Sequence, residues 1–169
     1  VFAKHLNEVF ILLTALADHS EASQLYLIAG TYIEKQFLNA SLPNLLQYRM
    51  AESAHLYATR RLNSAIRTLK QAEEILGIIK APEITKLVVE NQIYLRLAIS
   101  CYFRNDLSCA SNALEKHPYN IYLEENKTEE FKNDDSFSIF LAIKLVVNIR
   151  TGAELTDDFL ALFEDVDGD

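Results

Sequence analysis

The sequence predicts an all-α fold, a right-handed solenoid of about four antiparallel helical hairpins forming one domain over 1–169. Three observations predict it. Apolar side chains recur at i, i+3, i+4 and i+7 through most of the chain, the spacing that gives a helix one apolar face. Glycine and proline number only 4 and 3 among 169 residues, too few for the tight turns of a sheet. A turn pattern also returns at intervals of 43–48 residues.

The first helix, expected over 3–17, holds the longest apolar run, Val9 to Ala17. That run is about half of what crosses a bilayer, and no basic segment precedes it as in a signal peptide. It reads as a buried helix. A second helix, 21–38, follows the turn His19-Ser-Glu-Ala22. A third, 42–58, aligns Leu42, Leu45, Leu46, Met50, Ala54 and Tyr57, with Pro43 at its start, where a missing N–H costs nothing. The helix at 62–79 follows a short polar turn. The next, 83–103, opens after Pro82 and aligns Ile84, Leu87, Val88, Leu95, Ala98, Cys101 and Tyr102. A short helix at 107–116 stops before Pro118. Residues 119–134 read as a polar, acidic connection with room for one helical turn. In 135–150, Ile139, Phe140, Ala142, Ile143, Val146 and Val147 leave a polar strip only at Lys144 and Asn148. That helix is expected to be covered on both sides. The last helix is expected over 155–165.

The repeat lies in the turns. Tyr57-Ala-Thr-Arg-Arg-Leu62-Asn-Ser-Ala65 and Tyr102-Phe-Arg-Asn-Asp-Leu107-Ser-Cys-Ala110 superpose with a shift of 45. Ala22 lies 43 before Ala65, and Leu155 lies 48 after Leu107. A small residue there lets two antiparallel helices approach closely. The period exceeds that of an ordinary tetratricopeptide unit and is near that of HEAT repeats, so the expected architecture is tetratricopeptide-like helical pairs.

No catalytic, cofactor or metal constellation is expected. Glycines stand only at 30, 77, 152 and 168, so no glycine-rich phosphate loop can form. His5, His19, His55 and His117 have no ligand partner at helical spacing and are expected at surfaces or interfaces. Cys101 and Cys109 are expected to be buried small hydrophobes rather than a redox pair, in a reducing, cytoplasmic setting. The chain opens on Val1, so a fragment of a longer protein is expected.

The formal charge of −8 is unevenly placed: residues 1–110 carry 11 basic and 10 acidic side chains, and 111–169 carry 5 and 14. So acidic a C-terminal third disfavours nucleic acid and anionic membrane, leaving at most a peripheral membrane role, and suits a basic protein surface. Arg60, Arg61, Arg67 and Lys70 form the one basic cluster, which reads either as a solvated face balanced by Glu73 and Glu74 or as a docking patch for an acidic coiled coil or acidic tail. Asp157 and Asp158, beside Glu154, read as a charged helix start rather than a catalytic pair.

The pattern Tyr94-x3-Ala98-x2-Cys101-x-Phe103-x2-Asp106-x3-Ala110-x2-Ala113, followed by Pro118, resembles the penultimate hairpin of the soluble NSF attachment proteins (SNAPs). Arg60 to Ile66 is similar to that family's preceding turn. Asp134-Asp135-Ser136, Phe140-Leu141, Val147-Asn148 and Phe163-Glu164-Asp165 resemble its next hairpin. The likeness runs over about 20–166. Ser136-Phe137-Ser138 stands where the family has Ser-Arg-Glu, and the hairpin ending at Pro118 is about one turn shorter. Nothing after Asp169 corresponds to the family's ATPase-engaging segment, so a divergent member or a fragment is expected. Leu42-Pro43, Leu46-Gln47 and Leu114-Glu115-Lys116 also look like a huntingtin-associated protein of the same SNAP-like helical type. The SNAP resemblance implies a non-catalytic adaptor of vesicle trafficking. Its basic face, here Arg60, Arg61, Arg67 and Lys70, would meet a SNARE four-helix bundle. Its acidic end, here Asp157, Asp158, Glu164 and Asp165, would meet a hexameric AAA ATPase. The huntingtin-associated likeness implies instead a scaffold subunit held within a large helical-repeat partner.

Overall fold

The computed structural model describes residues 1–124 and 134–164. They form α1 (Phe2–Ala15), α2 (His19–Ala40), α3 (Leu42–Ala58), α4 (Leu62–Ile78), α5 (Glu83–Phe103), α6 (Leu107–Glu115), α7 (Pro118–Glu124), α8 (Asp135–Thr151) and α9 (Asp157–Glu164). Among the described residues there is no strand, and the all-α expectation holds. The chain divides into two compact units, Val1–Val89 and Glu90–Asp169.

The recurring turn has one backbone geometry. Ala17, Arg60, Asn105 and Gly152 all adopt the left-handed conformation, with φ of 57, 62, 66 and 71°. The N–H of each donates to the carbonyl three residues back: Ala17 to Thr14, Arg60 to Tyr57, Asn105 to Tyr102, Gly152 to Ile149. The following N–H reaches five back, from Asp18 to Leu13, Arg61 to Leu56, Asp106 to Cys101 and Ala153 to Asn148. This is the Schellman arrangement, which satisfies carbonyls orphaned at a helix end. In the first three turns the next helix begins at once, and Ala22, Ala65 and Ala110 donate to the carbonyls of Asp18, Arg61 and Asp106. Each of these alanines is 0 % exposed. A larger side chain there would push the paired helices apart.

In the first unit α1 packs on α2, α2 on α3, α3 on α4, and α1 also on α3. Phe10, Ile33, Phe37, Leu45 and Tyr48 are the large side chains of its core, each worth about 1.5–3 kcal/mol of burial. Gly30 is required where α2 meets α3: a Cβ there would stand 2.9 Å from the Tyr48 hydroxyl and 3.4 Å from the Tyr26 ring. α4 turns Ala65, Ile66, Leu69, Ala72 and Leu76 inward. Asp18 and Ser41 cap α2 and α3 by accepting from the N–H of Glu21 and Asn44.

In the second unit α6 packs on α8. His117 stacks on Phe140, with ring centroids 4.5 Å apart, and Tyr119 meets Phe137 edge-on at 5.1 Å. The Tyr119 hydroxyl donates to Asp134, whose carboxylate also accepts from the Ser136 N–H and caps α8. That tyrosine bond holds the Asp134 carboxyl below its usual range. Burial, then the same bond, pushes the Tyr119 phenol up to about 12.

Five expectations are corrected. The apolar run Val9 to Ala17 is not a buried helix: only Phe10 of it is buried, while Val9, Leu12 and Leu16 are exposed, because α1 packs on α2 and α3 through its opposite face. The connection at 119–134 contains α7, because Pro118 opens a helix as well as following one. Residues 125–133 of that connection lie outside the described residues. His55 and His117 are fully buried core residues rather than surface ones. Each packs its ring on aromatic neighbours, and the His117 Nδ1 accepts the N–H of Tyr119. Cys101 and Cys109 are joined as a disulfide, because the α5–α6 turn brings their Cα atoms to 5.7 Å. Finally, α8 is not covered on both sides: Phe137, Phe140, Leu141 and Val147 are buried, while Ile139 and Ile149 stay exposed.

Candidate protein-interaction surface

The basic cluster is built by the second left-handed turn and the outer face of α4. Arg60 is the left-handed residue and Arg61 the N-cap of α4. Arg67 and Lys70 follow on the helix, the last about 13 Å along the axis from Arg61. Buried Ile66 and Leu69 point α4 inward, so Arg67 and Lys70 stand in solvent, as do Arg60 and Arg61. None of the four makes an ion pair or side-chain hydrogen bond among the described residues. Four exposed cations on a turn and helix are suited to a surface of opposite charge, with Glu73 and Glu74 one turn beyond Lys70 as the nearest acidic residues along α4.

Arg61 also reaches inward electrostatically. Burial raises the Tyr26 phenol to about 12 against the lowering influence of the Arg61 charge. Burial lowers the His55 pKa, and His19 and Arg61 add to it. Beneath the turn lies a polar cluster that sequence reasoning missed. Arg49 bonds Glu52 at 2.6 Å and also Glu34, and the Tyr26 hydroxyl donates to Glu52 at 2.9 Å. Ser23 Oγ sits 3.2 Å from His55 Nε2, and the His55 ring meets Phe10 edge-on at 5.7 Å. A signal was present in the Arg49-x-x-Glu52 spacing, one turn apart on a helix that had to be covered. The Ser–His contact lacks a carboxylate on the other ring nitrogen, so the orienting third member of a nucleophilic triad is missing among the described residues.

At the acidic end, Asp157 and Asp158 are exposed in the first turn of α9, where the helix dipole favours anions. Thr156 Oγ1 accepts the Phe159 N–H. The Glu164 side chain and Asp165 lie outside the described residues. The structure therefore puts the basic residues in the first compact unit and the described acidic ones in the second. The first unit carries 9 basic and 8 acidic side chains, the second 7 and 16.

A third surface was not anticipated at particular residues. Phe2, Val9 and Leu12 on α1 and Leu16 at its C-cap are exposed, spaced like a coiled-coil seam with His5, opposite buried Ala3, Asn7 and Phe10. On α2, Leu27 and Ile28 are 75 % and 84 % exposed. A ring contact between Phe2 and Tyr32 at 6.1 Å links the two helices.

Among the described residues no group of three metal-ligating side chains converges, and no helix is long and apolar enough to cross a membrane. No protein-family model, no curated protein and no solved structure matches the chain. Fold and surfaces define an all-helical protein with unpaired charge and apolar area exposed on helical elements.

Proposed function

We propose that this chain is a non-catalytic protein–protein adaptor built of tetratricopeptide-like helical hairpins, acting in the manner of a SNAP between a helical bundle and an ATPase. The observation that carries it is the recurring left-handed turn at Ala17, Arg60, Asn105 and Gly152, with intervals of 43, 45 and 47 residues. Hairpin arrays of this kind work through the surfaces their stacking holds in register. Arg60, Arg61, Arg67 and Lys70 supply the face for an acidic four-helix bundle such as an assembled SNARE complex. Asp157 and Asp158, with Glu164 and Asp165, supply the face for a basic ATPase domain. The test is a pull-down of assembled SNARE bundle by the full chain and by the Arg60→Glu/Arg61→Glu variant. Binding that weakens at least about tenfold in the variant, and falls with added salt, supports the reading. Equal, salt-insensitive binding by both sinks it.

The exposed apolar stripes of α1 and α2 favour a second reading, a scaffold subunit enclosed by a larger helical-repeat partner. Sizing the isolated chain separates the two: this reading expects concentration-dependent association abolished by Leu27→Lys/Ile28→Lys, and a stable monomer speaks against it.

A further inference from the structure

We propose that Cys109 is a modification site for low-molecular-weight thiols, which open the Cys101–Cys109 disulfide by exchange while the α5–α6 turn stays closed. The proposal is independent of the adaptor reading. Cys101 is fully buried in α5, whereas Cys109 is half-buried in the first turn of α6, so an incoming thiol meets the Cys109 sulfur. The bond spans 8 residues across the third left-handed turn, centred on Asn105.

That turn forms equally well without a crosslink. At the corresponding places the first turn carries Leu13 and Glu21, and the second Leu56 and Ser64. Its closure rests on hydrogen bonds that do not involve sulfur: Asn105 N–H to Tyr102, Asp106 N–H to Cys101, Ala110 N–H to Asp106, and the Asp106 carboxylate accepting the Cys109 N–H at 3.0 Å. Asn105 is also among the residue types that tolerate the left-handed region best. The disulfide is thus a removable addition to a turn that stands on its own backbone.

In the exchange a thiolate attacks Cys109 Sγ, and the bond to Cys101 breaks. Its electron pair goes to Cys101 Sγ, which takes up a proton, and Cys109 is left as a mixed disulfide. A second thiol then attacks the outer sulfur, freeing Cys109 as a thiol and forming the small-molecule disulfide. Two thiols are oxidised and one protein disulfide is reduced, with two electrons and two protons transferred. Where no second thiol arrives, Cys101 attacks Cys109 Sγ, expels the small thiol and restores the bond.

The experiment uses the full chain with glutathione. Air-oxidised wild type is alkylated and weighed intact, reduced with graded glutathione, and followed by far-ultraviolet circular dichroism. Cys101→Ser and Cys109→Ser variants are incubated separately with oxidised glutathione. The expected result is no free thiol before reduction, two after it, and an unchanged helical signal. The Cys101→Ser variant should gain one glutathione on the order of tenfold faster than Cys109→Ser. Free thiols in the air-oxidised chain, equal adduct rates in the two variants, or loss of helix on reduction would each overturn the proposal. If a variant fails to fold, peptide mapping of the transient adduct on wild type decides: glutathione on Cys109 supports it and glutathione on Cys101 refutes it.

Discussion

Replacing Arg49 by Met keeps most of the side-chain volume and removes the charge at the centre of the buried cluster. The side chains of Arg49 and Glu52 are only 9 % and 6 % exposed, and they meet at 2.6 Å. Without the guanidinium, the Glu52 carboxylate keeps the Tyr26 hydroxyl as its hydrogen-bond donor but has no compensating charge. Stranding a buried charge in this way costs about 3–5 kcal/mol. The other arm of the cluster is different, since Glu34 is 42 % exposed and screened by water. Glu34→Gln should therefore cost no more than about 1 kcal/mol. Removing both buried charges together, in Arg49→Met/Glu52→Leu, should recover more than half of the single-variant loss, because neither charge is then left unpaired. Urea unfolding followed by circular dichroism reads all four proteins. With a slope of about 2 kcal/mol per molar, Arg49→Met should move the midpoint down by roughly 1.5–2.5 M. A loss below about 1 kcal/mol for Arg49→Met, or an equal loss for Glu34→Gln, would refute the buried-pair account.

The remaining predictions follow from the turns, the buried imidazoles and the close helix contacts. Ala17→Gly should raise stability by up to about 1 kcal/mol and Gly152→Ala should lower it by a similar amount, since both positions have positive φ. Thermal melts that moved in the same direction for both would contradict the shared geometry. Burial holds His117 down at about 4 against 6.5 in the unfolded chain, and the Lys144 charge adds to it. Its contribution is whole above pH 6.5 and is lost as the pH falls from 6.5 to 4, because there the unfolded chain binds the proton and the folded chain does not. The loss amounts to about 3 kcal/mol, and the lowered pKa of His55 works in the same direction. Urea midpoints between pH 7.5 and 4.5 should fall, and less steeply in His117→Phe; parallel slopes would remove His117 from the account. Ala65→Leu, at a fully buried contact, should cost at least about 1–3 kcal/mol by overpacking. A melt within error of wild type would show that α4 can shift to admit it.

The sequence by itself determined what depends on neighbours along the chain. Helix existence and most boundaries were legible because α3 and α5 carry apolar periodicity, with Pro43 and Pro82 at their starts, although Ile84 and Val88 of the expected α5 face are exposed and burial begins at Ile93. The turns were legible as well, since a short polar stretch followed by Ala22, Ala65 or Ala110 returns at intervals of 43 and 45 residues, but their left-handed backbone was not, because Ala17 and Arg60 are not residue types that favour it. The candidate cations could be assigned to an outer face because Ile66 and Leu69 dictate which side of α4 turns inward. Tertiary structure alone decided which polar residues are drawn into the core. Arg49 and Glu52 are one turn apart on any helix, yet only the packing of α2 over α3 excludes water from them and brings Tyr26 and Glu34 into range. The same holds for His55, which meets Ser23 from 32 residues away. It holds too for Cys101 and Cys109, whose inequality is one of exposure, which residue type does not express. Spacing along a helix is a local property, whereas the desolvation that gives a charge, an imidazole or a sulfur its energetic weight is set by what covers it.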